Sequence, residues 1–146
     1  MNRRIIALLA CCATVAFPAG AEGPSPIDPD KLDWRGPPGN PLVEAAWVVG
    51  SENVPGLYAL RVRIRKGGAI PPHVHPDTRY STVLSGTLYV GFGERQDEAR
   101  MVAVPAGAVY VAPAGVPHYL SARDGEVVYQ EGGFGPTATR PLPSGH

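Results

Sequence analysis

Hydrophobic and polar residues alternate with a period of two along the middle of the chain. Leu60, Val62 and Ile64 interleave with Arg61, Arg63 and Arg65. That spacing places the apolar side chains on one face of a strand and the arginines on the other. The segment predicts a half-buried strand with a solvated basic face. Lys66-Gly67-Gly68 follows as a turn. Arg79–Leu84 and Thr87–Phe92 are rich in β-formers, and only Ser85-Gly86 separates them. This predicts a hairpin with a very tight turn. Met101–Val104, Val109–Ala112, Pro117–Ala122 and Glu126–Gln130 are four further short strands. Pro105-Ala106-Gly107, Pro113-Ala114-Gly115 and Arg123-Asp124-Gly125 punctuate them. Residues 57–132 carry no sustained helical periodicity, so the spacing predicts an all-β sandwich or barrel.

The flanks break this pattern. Residues 22–44 form a proline-rich arm that includes Gly36-Pro37-Pro38-Gly39. Its missing amide protons disfavour helix and central strand. Trp34 and Trp47 suggest that part of the arm packs on the barrel. The β pattern then occupies about 45–132, and 133–146 reads as a coil tail. Residues 1–21 read as a secretory signal peptide. Arg3 and Arg4 precede an apolar run from Ile5 to Phe17, and Ala19-Gly20-Ala21 is an A-x-A cleavage site. The run is too short to span a bilayer, which needs about 20 residues. Leu9 before Ala10-Cys11 is a poor lipoprotein signal, and the residues around Arg3-Arg4 are a poor twin-arginine signal. The expectation is an exported protein, periplasmic or secreted, with no membrane insertion after cleavage.

Composition narrows the classes. The 146 residues fit one domain, and 13 Lys plus Arg balance 13 Asp plus Glu. A zero formal charge speaks against a nucleic-acid partner. Hydrophobic residues make up 44% of the chain, sufficient for a core, while 18 Gly and 17 Pro cut it into short segments. Both cysteines, Cys11 and Cys12, fall within the signal peptide. The exported chain therefore relies on its core rather than on disulfides.

Candidate chemistry centres on histidine. His73 and His75 lie two apart, which in an extended strand places both imidazoles on one face. His118 follows a Pro-x-Gly turn on another predicted strand, and His146 is the terminal residue. Two histidines at this spacing and a third from a distant segment can meet one metal ion, and imidazole suits zinc, iron, copper and nickel. An H-x-H pair alone is equally compatible with structural histidines. No serine has a G-x-S-x-G context, and Gly91-Phe92-Gly93 lacks the third glycine of a dinucleotide loop. Tyr58, Tyr89, Tyr110 and Tyr129 fall on predicted strands and read as core or barrel wall.

The surrounding residues add a family resemblance. Gly67-x5-His73-x-His75-x3-Arg79-x6-Gly86 resembles the first signature motif of the cupin superfamily, and Gly107-x5-Pro113-x-Gly115-x2-His118 resembles the second. The sequence looks most like small exported single-domain bacterial cupins. The resemblance implies a double-stranded β-helix, or jelly-roll barrel, with an irregular N-terminal arm and a C-terminal tail. It also implies a divalent transition metal (Fe, Zn, Mn, Ni or Cu) held inside the barrel by His73, His75 and His118. Similar three-histidine cupins include oxygenases that cleave small organic molecules. Two positions depart from the pattern. Arg79 stands where the family usually has a glutamate ligand, and Ala122 where it often has asparagine. A guanidinium has no acceptor and cannot ligate a metal. Arg79 is instead expected to contact an anionic substrate or ligand. Asp77 and Tyr80 are candidate hydrogen-bond partners of the ligand histidines, although Pro76-Asp77-Thr78 also fits a plain turn. Three readings stay open: a metal-dependent enzyme, a metal-containing binding protein, and a metal-free binding module or metal-independent enzyme. A homodimer is compatible with each.

Overall fold

Two five-stranded antiparallel sheets face each other in the computed structural model, which describes residues 26–143. The expected signal peptide with Cys11 and Cys12, the first residues of the arm, and His146 lie outside the described residues. One sheet has the order β1-β2-β9-β4-β7. It comprises β1 (Val43–Val49), β2 (Gly56–Ile64), β4 (Arg79–Ser85), β7 (Val109–Ala112) and β9 (Val127–Gly135). The other, ordered β10-β3-β8-β5-β6, comprises β3 (Ala69–Val74), β5 (Thr87–Phe92), β6 (Val102–Pro105), β8 (His118–Ser121) and β10 (Arg140–Pro141). This is the expected all-β jelly roll. Its helical content among the described residues is two 3₁₀ turns, Pro29–Lys31 and Glu98–Arg100.

The inward positions explain where the core ends and the site begins. Along β2 they run Ile64, Val62, Leu60, Tyr58; along β9, Val127, Tyr129, Glu131; along β4, Val83, Ser81, Arg79. Register aligns these rows, with Ile64 opposite Val127, Val62 opposite Tyr129, and Leu60 and Ser81 both opposite Glu131. In the second sheet Ile70 pairs with Leu120 and His73 with His118. Apolar side chains thus fill one end of the barrel, where Ile64, Leu88 and Val127 are fully buried. Each such side chain contributes about 1.5–3 kcal/mol relative to exposure. Polar side chains collect at the other end.

The arginine row faces outward, with Arg61 and Arg63 of β2 half-buried and Arg65, just past its end, exposed. Arg63 and Arg65 reach Glu44 of β1 at 3.4 and 3.3 Å. Arg63 also lies 4.1 Å from the centre of the Trp34 ring, and Arg35 bridges to Ala45. The arm therefore packs on the barrel, as its tryptophans suggested. Tyr58, Tyr110 and Tyr129 are buried, while Tyr89 turns outward to Asp124.

Two expectations are corrected. β4 and β5 do not form a hairpin, because they belong to different sheets. One residue, Gly86, is too short a link for a hairpin turn; with φ at +74° it turns the chain from one sheet into the other. A Cβ there would also collide with the Glu126 carbonyl oxygen. Gly86→Ala is therefore expected to cost about 2–3 kcal/mol, read as a lower urea midpoint with an unchanged slope. An unshifted midpoint would show that the corner tolerates a side chain. The second correction concerns the tail. β9 continues to Gly135, and β10 pairs Arg140 with Val74 and Pro141 with His73. The glycines at 132, 133 and 135 hide this extension in the sequence.

Candidate metal centre

β3 and β8 bring the three histidines together. Pro71 and Pro72 cannot donate to the ladder, and the β3–β8 register shifts between Ile70 and His73. The shift sets His73 directly opposite His118, and His75 follows two residues later on the same face. Ring centres lie 4.8 Å apart for His73 and His75, 4.3 Å for His73 and His118, and 5.1 Å for His75 and His118. One nitrogen from each ring falls within 4.8 Å of the others, and all three residues are buried.

Hydrogen bonding fixes which nitrogens are available. Nδ1 of His73 lies 2.8 Å from the Pro71 carbonyl, Nδ1 of His75 lies 2.9 Å from that of Ala138, and Nδ1 of His118 lies 3.1 Å from that of Val116. A carbonyl oxygen only accepts, so each Nδ1 carries the proton and donates. Each Nε2 then keeps a lone pair. Nε2 of His118 is buried with no hydrogen-bond partner among the described residues. A buried orphan acceptor beside two more imidazoles fits a metal ion, whose histidine ligands commonly donate their other N–H to a carbonyl.

These carbonyls replace the partners expected from sequence. Asp77 accepts from Tyr58 and Thr137 and lies 3.8 Å from Arg79, with no hydrogen bond to a histidine. Tyr80 sits on the opposite face of β4 from Arg79 and is 61% exposed. Alternation along the strand turns it away from the site.

Burial holds the histidines neutral. It is the main cause lowering His73 to about 4, where the neighbouring His118 adds to it, and His75 to about 3, where Arg79 adds to it. His118 is lowered for the same reason, again with Arg79 contributing. Unfolded histidine titrates near 6.5, so below about pH 6.5 the unfolded chain binds more protons than the folded one. The metal-free protein should therefore keep its full stability above that pH. It should lose several kcal/mol as pH falls toward about 4. Urea unfolding across this window tests the linkage, and a flat profile would contradict it.

Arg79 meets an anion from its own chain. Its Nη1 donates to Glu131 Oε1 at 2.6 Å, and its Nη2 donates to Thr137 Oγ1 at 2.8 Å and the Ala138 carbonyl at 3.4 Å. The guanidinium is 3% exposed. The expected contact with an external anion gives way to this internal pair. Burial pushes the Glu131 carboxyl up, and Arg79 opposes that shift. The sequence pattern predicts a strand that stops at Gln130, one residue short of Glu131. Extending the period of Val127 and Tyr129 by one step would have found it.

A cavity of about 800 Å³ opens beside His73 and His75. His73, His75, Arg79 and Glu131 line it together with apolar Leu60 and Ile70, and the arm's Arg35–Asn40 segment forms part of its wall.

The profile of the cupin domain matches residues 60–130, which hold all three histidines. Over 78 residues the chain is 37% identical to germin-like protein 5-1 from Oryza sativa subsp. japonica, covering 48% of this chain and 34% of that protein. The chain belongs to the cupin superfamily. It spans between 34% and 48% of the length of germin-like proteins that it resembles. This cupin also superposes on the polyketide cyclase RemF from Streptomyces resistomycificus with a TM-score of 0.69. That match has 15% identity and covers 85% of this chain and 89% of that one. Salicylate 1,2-dioxygenase from Pseudoaminobacter salicylatoxidans, in complex with gentisate, gives a TM-score of 0.59 at 18% identity, covering 71% and 30% of the two chains. At such identities the likeness is one of fold. In this cupin the cluster of candidate ligands consists of three imidazoles, and Arg79 occupies the position where the family usually places a glutamate.

Proposed function

We propose that this cupin holds a divalent transition metal (Fe, Zn, Mn, Ni or Cu) on Nε2 of His73, His75 and His118. We further propose that it acts on a small organic molecule bound in the adjoining cavity, in an oxygenase-like reaction. The observation that carries this reading is the convergence of three neutral imidazoles whose Nδ1 protons are all committed to carbonyls. The metal, when bound, would supply Lewis acidity or an oxygen-binding centre at open coordination positions. The chain's own contributions are distinct from that chemistry. Burial keeps the imidazoles deprotonated at Nε2 at neutral pH. Leu60 and Ile70 give the cavity an apolar side. The carbonyls of Pro71, Val116 and Ala138 fix ring orientation.

A second reading, a small-ligand-binding module without turnover, is favoured by Arg79 at the family's glutamate position. Oxygen uptake by the iron-loaded protein with small phenolic compounds separates the two. Uptake with product formation supports the enzyme. Ligand-dependent stabilisation without uptake supports the module. Export is part of the proposal and rests on the n-region, apolar run and A-x-A site of residues 1–21. Detection of the processed chain outside the cytoplasm tests it.

A further inference from the structure

Glu131 is a buried ionisable group to which the metal proposal gives no task. It is 5% exposed and lines the cavity beside His73 and His75. Its Oε1 accepts from Arg79, while Oε2 accepts no hydrogen bond among the described residues and is not one of their fully occluded orphan atoms. Oε2 therefore faces the cavity. Arg79 also has Asp77 3.8 Å from its Nε. One guanidinium thus stands between two carboxylates. Its Nε has no hydrogen-bond partner among the described residues but is fully occluded, so the spare capacity that a ligand in the cavity can reach is the Glu131 acceptor. A ligand carboxylate reaching for Arg79 would have to displace Glu131 and strand it, buried and unpaired. A ligand donor needs no such rearrangement.

We infer that the cavity takes small molecules that present a hydrogen-bond donor, an ammonium or hydroxyl group, to Glu131, and that this wall rejects carboxylates. The inference names a substrate class for the cavity and rests on the proposal that the cavity is the ligand site. Three probes with one skeleton test it: benzylamine as its ammonium ion, benzyl alcohol and benzoate. Their affinities are measured by calorimetry on the zinc-loaded protein and on its Glu131→Gln variant. Zinc is common to both proteins and cancels in the comparison. The ratio of benzylammonium to benzoate affinity should fall by about tenfold or more on substitution, the size expected for one lost charge-assisted contact. Benzyl alcohol should also weaken. If Glu131→Gln does not fold, the Arg79→Met/Glu131→Leu protein takes its place and must lose affinity for benzyl alcohol, a neutral donor whose binding does not respond to removal of the Arg79 charge. An unchanged ratio, or no binding of benzylammonium or benzyl alcohol to the folded wild type, overturns the inference. A protein that takes up no zinc fails the metal proposal instead, and the ratio measured on it still reports on Glu131.

Discussion

Replacing His118 with alanine is expected to weaken zinc binding by more than about 100-fold, beyond the loss typical of a residue that merely supports a ligand. Among the described residues His118 supplies the one histidine Nε2 that is buried without a partner, and it comes from a different segment than the other two histidines. Its removal leaves His73 and His75, a pair that cannot enclose an ion from both sheet neighbours. Competition titration with a chromophoric chelator measures the change. Tyr80→Phe is the matched control, since Tyr80 faces solvent and should leave zinc affinity unaltered. A His118→Ala protein with wild-type affinity would mean that the metal, if bound at all, sits elsewhere.

Arg79→Met should destabilise the fold by about 3–5 kcal/mol, because it strands the Glu131 carboxylate in the barrel. The pair is short and almost solvent-free, with side-chain exposures of 3% and 7%. Arg79 also donates to Thr137 and Ala138, so the substitution loosens the C-terminal segment against β4. Adding Glu131→Leu removes the stranded charge and should recover most of the loss, since a buried pair replaced by apolar side chains of similar volume is often neutral. Urea unfolding of the single and double variants measures both effects. A single variant as stable as wild type, or a double variant no better than the single, would contradict the account.

The barrel and its three histidines were readable in the sequence because period-two alternation and glycine punctuation are local signals. Leu60, Val62 and Ile64 announce β2 without help from any other segment. His73 and His75 share a face by the same arithmetic. The parts that stayed hidden depend on tertiary register. Whether Gly86 makes a hairpin or a corner depends on which strands β4 and β5 pair with, and those partners lie far along the chain. The role of Arg79 depends on Glu131, a diagonal neighbour reached only when β9 pairs with β4. The histidine partners are backbone carbonyls, which carry no residue type to recognise. Ala138 in particular comes from a segment whose glycines and prolines read as coil.

The most direct test of the central claim is the metal content of the protein purified from its native host without a histidine tag. Elemental mass spectrometry would compare it with the His73→Ala/His118→Ala variant. The account predicts about one equivalent of a single transition metal in the wild type, as one cluster of three histidine ligands implies, and its loss in the variant. Iron would favour oxygen chemistry, and zinc Lewis-acid chemistry. Wild-type protein that carries no metal, and takes up none on reloading with each candidate ion, would contradict it.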